Sequence, residues 1–168
     1  MVMGLPPLTF FHTLLSLVGI VSGVVVLVGF LNDSWFARWN TWFLSTTVLT
    51  SVTGFVLPAP HFLPSHGVGI LSLVVLGVAL YALYRKHLVG GWRRAYVFTS
   101  VIALYLNVFV LVAQLFAKVP ALKELAPTQT EGPFKLAQLL VLVAFVVLGT
   151  LAARNFHREV RGARASAP

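Results

Sequence analysis

Residues 39–84 read WNTWFLSTTVLTSVTGFVLPAPHFLPSHGVGILSLVVLGVALYALY and contain no Asp, Glu, Lys or Arg. This run is too long for one membrane crossing, because about 20 apolar residues in a helix span the hydrocarbon core. Pro58, Pro60 and Pro64 interrupt it, and proline cannot continue a helical hydrogen-bond ladder. The run therefore predicts a helical hairpin, with helices over residues 40–57 and 67–84 joined by the loop PAPHFLPSHG.

Three further runs are free of Asp, Glu, Lys and Arg, namely residues 1–32, 95–117 and 136–153. Charge-poor apolar runs of roughly 18 or more residues are typical of transmembrane helices. They predict three more spans, over residues 8–31, 95–117 and 133–153. The sequence thus predicts one all-α domain over residues 1–168, an integral membrane bundle of five transmembrane helices.

The composition agrees with lipid as the solvent of most side chains. Hydrophobic residues make up 58% of the chain and charged residues 10%, whereas soluble domains carry about 25% charged residues. The net charge is +8, but the basic residues flank apolar runs, so we expect membrane lipid rather than nucleic acid as their partner. The chain has no cysteine, which excludes disulfides, iron–sulfur clusters and thiolate metal sites.

The distribution of Lys and Arg predicts the orientation of the bundle. With five spans, one side holds nine of these residues: Arg38, Arg85, Lys86, Arg93, Arg94, Arg154, Arg158, Arg161 and Arg164. The other side holds Lys118, Lys123 and Lys135. Cytoplasmic loops are enriched in Lys and Arg, so we predict a multi-pass protein of a bacterial inner (plasma) membrane, with the N-terminus outside and the C-terminus cytoplasmic.

Aromatic residues support the same boundary. Seven of them fall near the predicted cytoplasmic side, as rings at a lipid–water interface do: Trp35, Trp39, Trp42, Tyr81, Tyr84, Trp92 and Tyr96. A four-span bundle is the alternative, in which the two helices of residues 39–84 are re-entrant or one of them lies in the interface.

Small and polar residues recur at helical spacing in each span. In the first span they are His12, Ser16, Gly19 and Gly23, and in the third they are Gly69, Ser72 and Gly77. Such seams predict close packing of helices, because small residues let backbones approach each other in lipid. Asn107 and Gln114 lie seven residues apart on one helix face, and amides in hydrocarbon face either another helix or a ligand.

The predicted orientation gathers polar residues in the outer half of the bundle. We therefore predict an outward-facing polar cavity, roofed by the loops HFLPSH and APTQTEGPF. Ligand sites are mostly apolar with a few placed polar groups. The candidate ligand-binding residues are His12, His61, His66, Asn107, Gln114 and Gln138.

Three functions are compatible with the predicted spans and the candidate polar residues. The first is a non-catalytic protein, either an accessory subunit of a larger membrane complex or a module that binds a small or lipid-like ligand. The second is a redox protein or subunit that binds quinone, haem or a metal ion through His12, His61 and His66. The third is a small transporter or channel that works as a homo-oligomer, although no charged residue lies at the middle of a predicted span. The absence of GxSxG, Walker and HExxH motifs makes an enzyme the less favoured class.

Four segments carry a family resemblance: TVLTSVTGFVLP, PSHGVGILSL, ALYLNVFVLVAQLF and KVPALKELAPTQTEGPF. They resemble segments of a group of uncharacterised small bacterial inner-membrane proteins, over most of the chain from the second span to the fifth. The resemblance implies a class of protein and no catalytic residue. It also implies a role beyond connection for the outer loops and for the face that carries Asn107 and Gln114.

Overall fold

A computed structural model of the protein describes residues 6–57 and 64–157, and within these ranges every regular element is helical. The helices are α1 (Pro7–Leu31), α2 (Ala37–Val56), α3 (Pro64–Leu80), α4 (Gly91–Lys118), α5 (Pro120–Leu125) and α6 (Gly132–Asn155). A π-helical turn, Tyr81–Arg85, extends α3. The predicted all-α class is confirmed, and a helix occupies each of the five predicted positions. The short α5 begins at Pro120, because proline fits the first turn of a helix.

Four of the described helices are long and apolar enough to cross a membrane: α1, α3 with its π-helical turn, α4 and α6. These four helices are compatible with a multi-pass membrane protein. Helix α2 has 20 residues, but Arg38, Asn40 and several Ser and Thr residues lower its mean hydropathy. By length and hydropathy, α2 is not among these four helices.

Four helices form a ring in which α1 packs on α2, α2 on α3, α3 on α4, and α4 on α1. Helix α6 lies outside the ring, against α4 and α1. Two side-chain hydrogen bonds cross the ring from α4 to α2. The Tyr96 hydroxyl donates to Asn40 Oδ1, and Asn107 Nδ2 donates to Thr47 Oγ1 at 3.3 Å. Polar side chains of α2 thus find partners inside the ring, which stabilises a polar helix among apolar ones.

The small-residue seams are contacts between helices, with one exception. A Cβ atom on Gly23 of α1 would lie 2.6 Å from Leu104 Cδ1 and 2.8 Å from Phe43 Cδ2, so only glycine fits there. Around Gly77, in contrast, no described atom beyond its own stretch of helix lies within 4 Å of such a Cβ, and the packing role predicted for it is wrong. Gly77 follows Ser72 by five residues, a step that rotates it about 140° around the helix and away from the seam.

The bundle is closed at the end where α1 and α6 finish, and we call this the closed end. The ring of Phe30 lies 5.0 Å from that of Phe156 and 5.9 Å from that of Tyr96, between centroids. Tyr96 is fully buried, so its predicted place in the interfacial aromatic belt is wrong. Burial is stable because Asn40 accepts the hydrogen bond of its hydroxyl.

Hydrogen bonds fasten the end of α6 to the closed end. The backbone N–H of His157 donates to Asp33 Oδ1 at 2.8 Å, and Asn155 Nδ2 donates to the carbonyl of Leu31 at 3.0 Å. Arg93 Nη1 at the start of α4 donates to the carbonyl of His157 at 2.9 Å. The first residues after α6 are thereby joined to α4 and to the loop between α1 and α2.

Candidate ligand-binding site

A cavity of about 130 Å³, which we call the chamber, lies inside the ring at the end opposite the aromatic cluster. All four helices of the ring contribute to its wall. The polar side chains that line it are His12, Ser16, Thr50, Ser51, Ser65, His66, Ser72, Asn107 and Gln114. Among the described lining residues there is no Asp, Glu, Lys or Arg. The chamber is therefore polar but carries no fixed charge from this part of the chain.

The chamber brings together four of the six candidate residues, namely His12, His66, Asn107 and Gln114. They come from α1, α3 and α4, so only the fold makes them neighbours. His61 lies outside the described residues. Gln138 is placed elsewhere: its Nε2 donates to the carbonyl of Phe109 at 3.1 Å and joins α6 to α4.

A hydrogen bond to α2 holds the ring of His12. Its Nδ1 lies 2.9 Å from Thr53 Oγ1, and the Thr53 hydroxyl donates to the carbonyl of Leu49 at 2.8 Å. A hydroxyl has a single proton, so His12 Nδ1 is the donor when Thr53 donates to the carbonyl of Leu49 or Thr50, and the acceptor when Thr53 donates to His12. In the first of these arrangements a neutral His12 carries its proton on Nδ1 and offers Nε2 as an acceptor.

The hydroxyl of Thr50 differs from the others on α2. Thr46 and Ser51 donate to the carbonyl four residues earlier, at 2.6 Å and 2.9 Å, as helical hydroxyls commonly do. Thr50 is only 7% exposed and lines the chamber, yet its Oγ1 has no hydrogen-bond partner among the described residues. A buried hydroxyl without a partner costs about 1–3 kcal/mol. This group is thus suited to a partner that the described residues do not supply.

We predict that Thr50→Val raises the free energy of unfolding of the delipidated protein by about 1 kcal/mol, because an isosteric methyl replaces an unpaired buried hydroxyl. Thr47→Val is the matched control on the same helix. It should lower stability by a similar amount, since Thr47 Oγ1 accepts from Asn107 Nδ2. Unfolding in mixed detergent micelles measures both. Equal destabilisation by the two variants would contradict the unpaired state of Thr50.

A second space, of about 330 Å³, adjoins the chamber between α1 and α4, and we call it the groove. The residues that line both spaces are His12, Ser16, Leu57, Asn107, Val110 and Gln114. The groove adds the apolar side chains of Leu17, Ile20, Leu111 and Leu115, and Lys118 borders it at the end of α4. A polar interior therefore adjoins an apolar path along the side of the bundle.

His12 and His66, the candidate histidines that the structure describes, do not by themselves make a metal site. Among the described residues no group of three or more His, Asp or Glu side chains lies close enough to hold a metal ion. His12 and His66 both line the chamber, and the His66 ring stacks on Phe55 with centroids 5.7 Å apart. A three-histidine metal site would need His61 as well, and that residue lies outside the described ranges.

The loop between α5 and α6 is fixed by Glu131. Its Oε1 accepts from the Thr128 hydroxyl at 2.8 Å and from the Thr128 backbone N–H at 3.1 Å, and Oε2 accepts from the Thr130 N–H at 2.9 Å. Gln129 Nε2 donates to the carbonyl of Ala113 at 2.7 Å. Residues 126–134 line neither the chamber nor the groove. The loop predicted as a roof instead packs on the end of α4.

Acidification is expected to loosen this loop. The hydrogen bond from the Thr128 hydroxyl, followed by backbone hydrogen bonds, lowers the pKa of the Glu131 carboxyl. A lowered pKa in the folded state means that the stabilisation is present above the ordinary carboxyl pKa and is lost as the pH falls through the lowered value. At neutral pH, Glu131→Gln should speed amide exchange of Thr128 and Thr130 several-fold. Glu124→Gln in α5 is the control, and equal exchange in both variants would refute the anchoring role.

No family model, curated protein or solved structure matches this chain. The site therefore has to be judged by its own geometry. Thr46, Thr50 and Thr53 recur on α2 at helical spacing, and nothing in that spacing distinguishes the hydroxyl of Thr50 from the other two. The groove was also missed, because the gap between α1 and α4 depends on helix separations that sequence periodicity does not specify.

Proposed function

We propose that this chain is a non-catalytic protein of a bacterial inner membrane that binds a small, lipid-like ligand in the chamber. The bundle crosses the membrane five times, with the N-terminus and the chamber on the outer side. The observation that carries the proposal is the unpaired, buried hydroxyl of Thr50 inside a polar chamber. Buried polar groups are nearly always hydrogen-bonded, and an exception calls for a partner.

The position of α2 supports five crossings. Its 20 residues extend about 30 Å at 1.5 Å per residue, which matches the hydrocarbon thickness. It stands in the ring between α1 and α3, and its Asn40 and Thr47 bond to α4. A helix lying flat in the interface would not make both of these contacts, because one lies towards the closed end and the other nearer the chamber.

The orientation follows from charge and aromatic residues. Of the described Lys and Arg residues, six lie on the side of the closed end and three on the side of the chamber, and Arg158, Arg161 and Arg164 follow α6 in the sequence. This distribution favours a cytoplasmic closed end. Large aromatic side chains near that end are exposed on the bundle surface, as interfacial anchors are: Trp39, Trp42, Tyr81, Tyr84 and Trp92.

The sizes of the two spaces favour a lipid-like ligand. Pockets for drug-sized molecules measure about 300–1,000 Å³, so a chamber of about 130 Å³ takes only a small head. The groove, at about 330 Å³, has room for an apolar tail beside Leu17 and Leu111. Because six residues line both spaces, a ligand with its head in the chamber can place its tail in the groove. A quinone in its reduced, hydroxyl-bearing form belongs to this ligand class.

Lipid analysis of the purified full-length protein tests the proposal. The chain is extracted from its membrane in polymer-bounded nanodiscs, and the lipids that copurify are compared with bulk lipid by mass spectrometry. We expect one lipid-like species enriched to about one molecule per chain. Ser16→Phe, at the junction of chamber and groove, should lower its amount at least about tenfold, a change of 1.4 kcal/mol in binding.

Leu140→Phe is the matched control, because Leu140 of α6 is 61% exposed and lines neither space. It should leave the enriched species unchanged. A lipid profile equal to bulk lipid in the wild-type protein and both variants, with all three folded, would overturn the proposal.

A further inference from the structure

We propose that the head of the ligand is an uncharged hydroxyl, of an alcohol or a phenol, which donates to His12 Nε2 and accepts from Thr50 Oγ1. This inference rests on the proposed function, since it names the chemistry of the ligand that the chamber takes. It excludes carboxylate, phosphate and ammonium heads from the chamber, and it disfavours esters, ethers and carbonyls.

The absence of fixed charge in the described lining sets the first limit on the head. An ion removed from water needs an opposite charge or a full set of hydrogen bonds, and without them its burial costs several kcal/mol or more. The described part of the chamber wall offers hydroxyls, amides and imidazoles, and no acidic or basic side chain other than histidine. An uncharged head is compatible with this lining.

The hydrogen bonds inside the bundle set the second limit. In the proposed arrangement the Thr53 hydroxyl donates to a carbonyl of its own helix, as helical hydroxyls commonly do, and His12 Nδ1 donates to Thr53. The neutral imidazole then has an acceptor at Nε2 and no free N–H. Asn107 Nδ2 is turned to Thr47. The acceptor on His12 and the Thr50 hydroxyl, which has no partner among the described residues, are then two groups that one head can satisfy together. Asn107 keeps its oxygen and a second N–H, and Gln114 also lines the chamber.

The spacing along α2 places these two groups side by side. Thr50 and Thr53 lie three residues apart, and residues at that step are neighbours on one helix face, with about 5–6 Å between Cβ atoms. Since the His12 ring is bonded to Thr53, it stands next to Thr50, and both line the chamber. One hydroxyl can donate to a nitrogen and accept from a second hydroxyl at once, whereas an ether or carbonyl oxygen can only accept.

The remainder of the ligand, its apolar tail, lies in the groove. His12 lines both spaces, and the apolar side chains of Ile20 and Leu115 continue from it along α1 and α4. Lys118 also borders the groove. A ligand with an anionic head would bind with that head at Lys118 and would leave the chamber groups unused, so head selectivity separates the two arrangements.

Photolabelling with head-group competition tests the inference. The full chain is placed in phosphatidylcholine nanodiscs and labelled with hexadecanol that carries a diazirine in its tail, and the labelled peptides are identified by mass spectrometry. Unlabelled hexadecanol, hexadecyl methyl ether and hexadecanoic acid compete. We expect labelling at the groove segments of α1 and α4 above that of the lipid-facing side of α6. Hexadecanol should compete about tenfold better than the ether or the acid, which is the effect of about one buried hydrogen bond.

The variants assign the preference to named groups. Thr50→Val should reduce the preference for the alcohol to about twofold or less while groove labelling persists, because Thr50 Oγ1 makes no bond within the described protein. His12→Phe should do the same. If His12→Phe fails to fold because it loses its bond to Thr53, the Thr50 variant still decides.

Three other results overturn the inference. Groove labelling with equal competition by the alcohol, ether and acid would refute the hydroxyl head and leave a lipid-like ligand standing. Strongest competition by the acid, abolished by Lys118→Gln, would assign an anionic head to the groove instead. Labelling of the groove no higher than that of α6 would overturn the proposed function as well.

Discussion

Phe156→Ala is expected to lower the free energy of unfolding by about 3–5 kcal/mol, the usual effect of removing a fully buried aromatic side chain. Phe156 has 0% of its surface exposed and packs on Phe30 and Trp35, with ring centroids 5.0 Å and 6.2 Å away. The smaller side chain also loosens the backbone at position 156. This position directly precedes His157, whose backbone N–H donates to Asp33 Oδ1. The closed end should therefore lose both its aromatic packing and the attachment of α6.

Phe11→Ala makes the same chemical change on the outside of α1, where the ring is 49% exposed. Lipid can fill the space that this ring leaves, so the expected loss is below about 1 kcal/mol. Unfolding of both variants in mixed micelles gives the comparison, and amide exchange at residues 31–33 reports the closed end directly. Similar losses for the two variants would contradict the aromatic cluster as the anchor of the bundle.

Gly23→Ala is expected to destabilise the protein by about 1–3 kcal/mol, because its new methyl group overpacks the centre of the ring. The Cβ would lie 2.6 Å from Leu104 and 2.8 Å from Phe43, and both side chains are almost fully buried and have little room to move. Relief would require α1 to move away from α2 and α4. The same variant should therefore also change the shape of the adjoining chamber.

Gly77→Ala is the matched control, because this glycine lies in the middle of α3 and no described atom lies within 4 Å of the position that an alanine methyl group would take. It should stabilise the protein by about 0.5–1 kcal/mol, the ordinary gain of alanine over glycine inside a helix. The two substitutions are chemically identical and are expected to differ in sign. Destabilisation by Gly77→Ala, or no effect of Gly23→Ala, would contradict the ring as described.

The helices were predictable because few backbone conformations are stable in lipid. A backbone in hydrocarbon has to satisfy its own hydrogen bonds, so charge-free apolar runs become helices. The grouping of His12, His66 and Gln114 at one end of the bundle was also predictable, since the direction of each span decides which ends meet, but whether the histidine side chains converge was not. The helices begin slightly earlier than predicted, because apolar patterning marks the lipid-facing part of a helix and not its first turn.

The features that the sequence did not reveal depend on which side-chain atoms lie within a few ångströms of each other. Tyr96 has the residue type and position of an interfacial aromatic, and only the facing Asn40 makes it a core residue. Gln138 was grouped with the site by its polarity, but it faces the carbonyl of Phe109. Whether the Thr50 hydroxyl has a partner depends on its rotamer, and residue spacing carries no information on that.

The most direct test of the proposed five-span arrangement concerns α2, since the outward chamber depends on whether this helix crosses the membrane. The chain has no native cysteine, so Ala37→Cys and Ser65→Cys place single thiols near the start of α2 and at the start of α3. Intact bacterial cells that express each variant are treated with a membrane-impermeant maleimide. We predict labelling of the Ser65 variant in intact cells and of the Ala37 variant only after permeabilisation. Labelling of both from the same side would contradict five crossings, and with them the outward chamber.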